Sequence, residues 1–349
     1  MKKIMLFVII VCSSFQKIAA QGYKPIIEPC PCLTKVDDRL ISKCGYLVVP
    51  ENRKKPAGRK IKIPFVFARK PGADSVKNIT LYTTGGPGYS TIKNFDSLRY
   101  RSDFFQFGGF IVFDQRGTKL AQPCLDCPEV NAAVKKSYKE NLPIDSLEQD
   151  AVKKCRQRLA ATGIDLSAYN TIESAADIND LKMALQLDSL NLLGISYSGG
   201  LMLTVARNHP AAVKSLILNS PLPGYTNYEE EGLFNINEGL DQVFDNVKKD
   251  SASIQYQNLK HRFQQYFTAI TGKVFTIPYV EKNTTDTLNI HYSKNDLLDA
   301  IINRISNWQL KTVPFVINEL INGNHQPYIK EILDDNFAGN KNLSHGMRY

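Results

Sequence analysis

Histidine is scarce in this chain, with five among 349 residues, and none lies close in sequence to the paired cysteines. Long apolar runs are missing too. The run Ile4 to Cys12 is too short to cross a bilayer, and no later stretch is apolar enough for a membrane helix. No lipid-attachment pattern surrounds Cys12. Low-complexity tracts are absent, and 43% of the residues are hydrophobic, which argues for a globular protein with a large core. Basic residues exceed acidic ones but are scattered, not striped. That reads as a solvated basic surface and excludes a nucleic-acid site.

Residues 1–20 read as a secretory signal peptide: Lys2 and Lys3, the apolar run, then Ala19 and Ala20 before Gln21. Their removal takes three lysines and no acid, lowering the formal charge from +9 to +6. The expected location is therefore periplasmic or extracellular. Six cysteines remain: Cys30, Cys32, Cys44, Cys124, Cys127 and Cys155. An even count in an oxidising compartment reads as disulfides, with Cys155 to Cys124 or Cys127 as one local loop. The rival is a zinc site built from Cys30, Cys32, Cys124 and Cys127. The long spacing between the two pairs and the lack of nearby histidine disfavour it.

Strand and helix patterns alternate up to about Gly224. Gly45–Val49 and Ile61–Ala68 read as a hairpin, Asn78–Thr83 and Gly109–Phe113 as further strands, and Asp145–Thr162 as an amphipathic helix. Ser174–Leu187 reads as a helix opened by a Ser174/Asp177 capping box. Leu190–Ile195 is a strand that meets Ser196, a helix follows until Pro210, and Val213–Leu218 is another strand. Such alternation gives a mostly parallel sheet covered on both faces, with sites at the carboxyl ends of strands. Beyond Gly224 the stripes are helical, interrupted by a hairpin over Lys273–Tyr279 and Thr287–Tyr292. The expected organisation is a leader over 1–20, a core over 21–224 and a mainly helical cap over 225–349.

The stretch Gly194-Ile195-Ser196-Tyr197-Ser198 carries the chemistry. Strand, sharp turn and helix form the setting of a nucleophile elbow, where small residues flank the serine because the backbone folds back on itself. Gly194 meets that need on one side; on the other stands Ser198 where glycine is usual. A buried strand followed by a softened helix start is the plainer reading of these residues alone. A serine nucleophile also needs dipoles for the developing oxyanion. The Tyr197 N–H opens a helix, and the turn Gly85-Gly86-Pro87-Gly88 can supply a second N–H, from Gly86 first and Gly85 next. No Lys-Ser/Thr follows that turn, so it is not a phosphate loop.

Five segments, in order, carry a resemblance: Cys44–Asn52, Gly85–Ser90, Asp114–Thr118, Gly194–Tyr197 and Val213–Leu218. Residues 40–225 resemble α/β-hydrolases of the prolyl-iminopeptidase and tripeptidyl-aminopeptidase type; the cap resembles them weakly. The resemblance implies an exported serine peptidase that removes residues or short peptides from free peptide N-termini. Ser196 would be the nucleophile, Tyr197 and Gly86 the oxyanion donors, and no metal or organic cofactor would be used. Two local departures are Ser198 and the segment Lys119-Leu120-Ala121, where the family has glycine, any residue, serine.

In this fold the triad Asp and His follow later strands. Neither is recognisable here. His209 ends the helix after Ser196, roughly 20 Å along its axis, and His261, His291, His325 and His345 read as surface residues. The expectation is that the Asp, the His and the last core strands lie beyond Tyr349. Rival functions are a catalytically inactive binding protein with this fold, and an esterase or lipase. Glu229, Glu230 and Glu231, where the cap begins, are candidates for holding a substrate ammonium group. A solvated acidic turn is the plainer reading of these three.

Overall fold

A computed structural model describes residues 23–282, 284–285, 287–306 and 309–348. The expected leader lies outside the described residues. The strands are β1 (Ile26–Pro29), β2 (Lys35–Val36), β3 (Ile41–Pro50), β4 (Lys60–Arg69), β5 (Ile79–Thr83), β6 (Ser97–Leu98), β7 (Phe110–Phe113), β8 (Leu190–Ile195), β9 (Val213–Asn219), β10 (Val274–Val280) and β11 (Thr287–Ser293). The helices are α1 (Pro128–Glu140), α2 (Ile144–Ala161), α3 (Thr171–Ala184), α4 (Tyr197–Asn208), α5 (Tyr228–Lys249), α6 (Leu259–Ala269), α7 (Lys294–Ser306), α8 (Val313–Ile321) and α9 (Gln326–Ala338).

Seven strands form one sheet in the order β1-β3-β4-β7-β5-β8-β9. The β1/β3, β3/β4 and β4/β7 pairings are antiparallel; β7/β5, β5/β8 and β8/β9 are parallel. Parallel pairs need crossover connections: α3 leads into β8 and α4 joins β8 to β9, whereas β5 reaches β7 through residues 84–109, which hold β6 and short 3-10 turns. β7 reads Phe-Ile-Val-Phe and is buried on both faces, as expected of a central strand in a covered sheet. One face packs Ile178, Leu181, Leu201, Met202 and Val205 of α3 and α4 against Leu81, Ile111 and Leu192. The other is closed by Ile92, Leu98, Phe105 and neighbouring rings around Phe110. Among the described residues β9 ends the sheet, and its Ile217 side chain is half exposed. An apolar edge of this kind invites further strand pairing.

The second half has its own core. The helices α5 to α9 enclose the β10/β11 hairpin around Ile290, Leu297, Val313, Ile317 and Leu333. It meets the sheet half through α1, which packs on α9. The Tyr138 hydroxyl donates to Asp296 at 3.0 Å and Lys135 pairs with Glu281 at 2.6 Å.

Several expectations need correction. Cys32 pairs with Cys44 and Cys127 with Cys155, whereas Cys30 and Cys124 carry free thiols, so not every cysteine is bridged. The Cys127–Cys155 bridge also takes two of the three residues, with Glu129, of the one group among the described residues whose ligand atoms lie close enough to hold a metal ion. The third helix begins at Thr171, not Ser174, because the Asn170 side chain caps it by accepting from the Glu173 N–H at 2.9 Å. Ser174 is buried with its hydroxyl unpaired. Asp177 is no cap residue either: it is fully buried in an ionic network. His325 is not a surface residue. It is buried in the second core, within 2.6 Å of the Tyr266 hydroxyl and 3.0 Å of the Tyr292 hydroxyl, and burial lowers its pKa.

That ionic network joins β3, β7 and α3. Arg116 is the largest fully buried side chain. Its guanidinium grips Asp177 with Nε and Nη2, both at 2.7 Å, and donates to the Glu51 and Ala168 carbonyls. Arg53 reaches Asp177, Asp180 and Glu173 from the β3–β4 turn. Removing one partner of such a pair leaves an uncompensated buried charge, which costs about 3–5 kcal/mol. Arg116→Met is therefore expected to lower the unfolding free energy by about that much in urea titrations. Arg116→Lys, which keeps the charge and loses the fork, should recover only part. A loss below about 1 kcal/mol for the Met variant would contradict this account.

Candidate active site

Ser196 sits between β8 and α4 with φ 58° and ψ −128°. Side-chain-bearing residues avoid this region, and holding one there costs on the order of 1–3 kcal/mol. The surroundings over-determine it. The Ser196 N–H donates to the Asn219 carbonyl at 3.1 Å, and its carbonyl accepts from the Gly199 and Leu222 N–H groups at 2.9 and 3.0 Å. The side chain is left exposed. Among the described residues its hydroxyl has no hydrogen-bond partner.

The glycines around it are needed for contact, not softness. A Cβ on Gly194 would lie 2.7 Å from the Ser198 carbonyl oxygen and 2.8 Å from Gly199 Cα. A Cβ on Gly85 would lie 2.7 Å from the Ile195 carbonyl oxygen, 3.0 Å from Ser196 Cβ and 3.3 Å from the Tyr197 nitrogen. The turn after β5 thus lies directly against the elbow. Gly86 takes φ +128° and Gly88 φ +100°, conformations that favour glycine. The N–H groups of Gly85, Gly86 and Tyr197 meet no protein acceptor among the described residues. Tyr197 itself is anchored, its hydroxyl 2.9 Å from that of Thr171 at the start of α3.

The Asp-Gln-Arg-Gly segment after β7 supports this turn. The Asp114 carboxylate is fully buried and accepts from the Ser90 hydroxyl and the Ile92 N–H, both at 2.9 Å. Burial pushes its pKa up to about 6 against the pull of these hydrogen bonds. Gln115 Nε2 donates to the Thr84 carbonyl at 2.9 Å, one residue before the glycines. Arg116 ties the same segment to α3. From the other side, residues Asn342–Ser344 run alongside the turn: the Ser90 N–H donates to the Asn342 carbonyl and the Ser344 N–H to the Gly88 carbonyl, each at 2.9 Å. A Cβ on Gly88 would come within 2.6 Å of the Ser344 oxygen. Sequence reasoning missed this strap, because nothing local marks a segment so distant in sequence as a neighbour of the turn.

The structure does not gather the histidines at Ser196. His209 caps the far end of α4, His261 and His291 are exposed on α6 and β11, and His325 is bound inside the second core. His345 follows the strap, with its Nε2 buried and unpaired. Glu230 and Glu231 are exposed at the start of α5, while the Glu229 side chain lies outside the described residues. Two cavities, of about 320 and 530 Å³, lie elsewhere: one beside the Cys127–Cys155 bridge, the other between α5 and α6. Neither is lined by Ser196 or residues 85–88.

A serine on a strained turn after one strand, against a glycine turn at the end of the neighbouring parallel strand, is the arrangement of a nucleophile elbow. Residues 109–319 match the model of the alpha/beta hydrolase fold. The chain belongs to that family. Among curated proteins it is 26% identical to the tripeptidyl aminopeptidase of Streptomyces lividans over 188 residues, 51% of this chain and 35% of that protein. It is 25% identical to the serine protease Hip1 of Mycobacterium tuberculosis over 222 residues, 60% of this chain and 41% of that protein. The chain thus spans well under half the length of these relatives. Among solved structures, an alpha/beta hydrolase fold protein from Chitinophaga pinensis is 11% identical, over 71% of this chain and 67% of that one, with a TM-score of 0.32. Among the described residues no helix is long and apolar enough to cross a membrane.

Two outcomes follow from this geometry. Gly85→Ala should cost roughly 1–3 kcal/mol in thermal unfolding, since backbone, not a movable side chain, blocks the new methyl. Gly224→Ala, with nothing within 4 Å, should cost far less. Asp114 titrates in the opposite sense to a paired carboxylate. A raised folded pKa gives stability that is complete below the unfolded value and is lost as pH rises through about 6. Asp114→Asn removes that dependence, so its destabilisation relative to the wild type should be larger at pH 4.5 than at 7.5, by about 2 kcal/mol. A gap that is constant or widens with pH would refute it.

Proposed function

We propose that the protein is an exported serine hydrolase that cleaves residues or short peptides from free peptide N-termini through an acyl-enzyme on Ser196. One observation carries this reading: an exposed serine hydroxyl on a strained turn, flanked by unpaired N–H groups of Tyr197 and the Gly85–Gly86 turn. In the proposed reaction the Ser196 oxygen attacks the scissile carbonyl while its proton passes to a general base that is not among the described side chains; collapse of the adduct forms the Ser196 ester and breaks the C–N bond, and the departing amine takes that proton. The Tyr197 and Gly86 N–H groups then receive the charge on its oxygen, with Gly85 as the alternative donor. Pre-aligned amide donors lower the barrier because they need no reorganisation when charge develops. The α4 macrodipole adds to that field, its positive end lying at Tyr197. Similarity to the tripeptidyl aminopeptidase and to serine protease Hip1 supports peptide substrates, and two disulfides support an oxidising destination. Glu229, Glu230 and Glu231 are the proposed acids for the substrate ammonium group.

A second reading is a binding protein that has kept the elbow and its glycine turn and not the turnover. It is favoured by one fact: among the described residues no side chain is in place to take the Ser196 proton. A fluorophosphonate probe separates the two. The peptidase reading expects stoichiometric adduct on Ser196, located by peptide mass spectrometry and abolished in Ser196→Ala; an unlabelled serine favours the binding protein. Substrate class is read from peptide p-nitroanilides with free and acetylated N-termini. Loss of turnover on acetylation is expected, and indifference to it would indicate an esterase or lipase.

A further inference from the structure

Ser198 occupies the position where a nucleophile elbow normally carries glycine. It is fully buried. Its hydroxyl accepts from the Ile195 N–H at 2.8 Å and donates to the Ile195 carbonyl at 2.9 Å. The two bonds act on two successive peptide planes. The Ile195 N–H belongs to the peptide linking Gly194 to Ile195. The Ile195 carbonyl belongs to the next, which leads into Ser196 and whose N–H is held by the Asn219 carbonyl at 3.1 Å. The plane that orients Ser196 is therefore pinned at both ends, by Asn219 on the sheet side and by Ser198 on the helix side.

The same Ile195 carbonyl is the atom against which Gly85 abuts, with room for no Cβ between them. A glycine at 198 would leave that carbonyl and the Ile195 N–H without this partner, and their orientation would rest on backbone preference alone. We infer that Ser198 is a positioning residue: its hydroxyl latches the peptide before Ser196, and through the Ile195 carbonyl it sets the seating of the Gly85–Gly86 donors on the elbow. This rests on Ser196 being the reactive group. The substitution that looks like a flaw in the motif is then a second route to the same rigidity. Glycine relaxes the turn; serine bonds it in place.

The test uses the full chain with Ser198→Ala and Ser198→Gly, and three readouts. Amide exchange by NMR or fragment mass spectrometry should show the Ile195 N–H protected in the wild type and exchanging at least roughly tenfold faster in both variants. Fluorophosphonate labelling of Ser196 should slow by a similar factor, with Ser196→Ala as the blank. Thermal midpoints and exchange in the remote helices α7 to α9 should move little, which separates a local latch from general destabilisation. Unchanged Ile195 exchange in Ser198→Ala overturns the latch, whatever the labelling. Faster exchange with unchanged labelling overturns the positioning role. A wild type that takes no label, with Ile195 exchange faster in both variants, overturns the nucleophile reading and supports the latch.

Discussion

Two pieces of backbone, the turn after β5 and the elbow after β8, approach each other more closely than any side chain would allow. The contact of Gly85 with the Ile195 carbonyl and Ser196 is what the rest of the sheet half is arranged to hold. A close backbone contact has no side-chain entropy to lose, but it tolerates no slack, because each peptide plane must keep its orientation. The strands themselves fix only the direction of arrival. Everything beyond the strand ends has to be fixed by hydrogen bonds.

Those bonds come from four places. Asp114 gathers Ser90 and Ile92, Gln115 holds the Thr84 carbonyl, the Asn342–Ser344 strap pairs along the turn, and Ser198 pins the elbow. Arg116 stands one shell further out and ties the Asp114 segment to α3 through Asp177. A buried carboxylate and a buried guanidinium two residues apart are costly to desolvate, and each is met by a full set of partners. The segment after β7 is therefore scaffolding: it touches no exposed part of the site, yet the turn cannot keep its shape without it.

Much of this could be read from the residues. Periodicity marked the strands of the central sheet and the helices of the second half, and the Gly-Gly-Pro-Gly turn and the Gly-Ile-Ser elbow stood out because few structures need such residues side by side. Features that depend on distant partners were hidden. Ser174 looked like a cap by spacing, but Asn170 supplied the acceptor; Asp177 looked like part of that cap and is instead the counter-ion of Arg116 and Arg53. The strand β1 and helix α1 carry weak patterns and form because β3 and α2 give them somewhere to pack. His325 has no apolar signature of its own; two tyrosines from α6 and β11 make its burial possible. Ser198 was visible as a departure, but its two bonds to Ile195 were not.

The outermost strand of the sheet bears on the site more directly than its position suggests. Among the described residues β9 is held on one side only, by β8, and its last residue, Asn219, provides the carbonyl that receives the Ser196 N–H. Strand ends at an open border are where a sheet loosens first. Opening of β9 would remove a support from the strained serine before the centre of the molecule is disturbed, and any chain that zips onto that border would do the reverse. The readiness of the hydroxyl is in this way coupled to the tightness of the border strand next to its own.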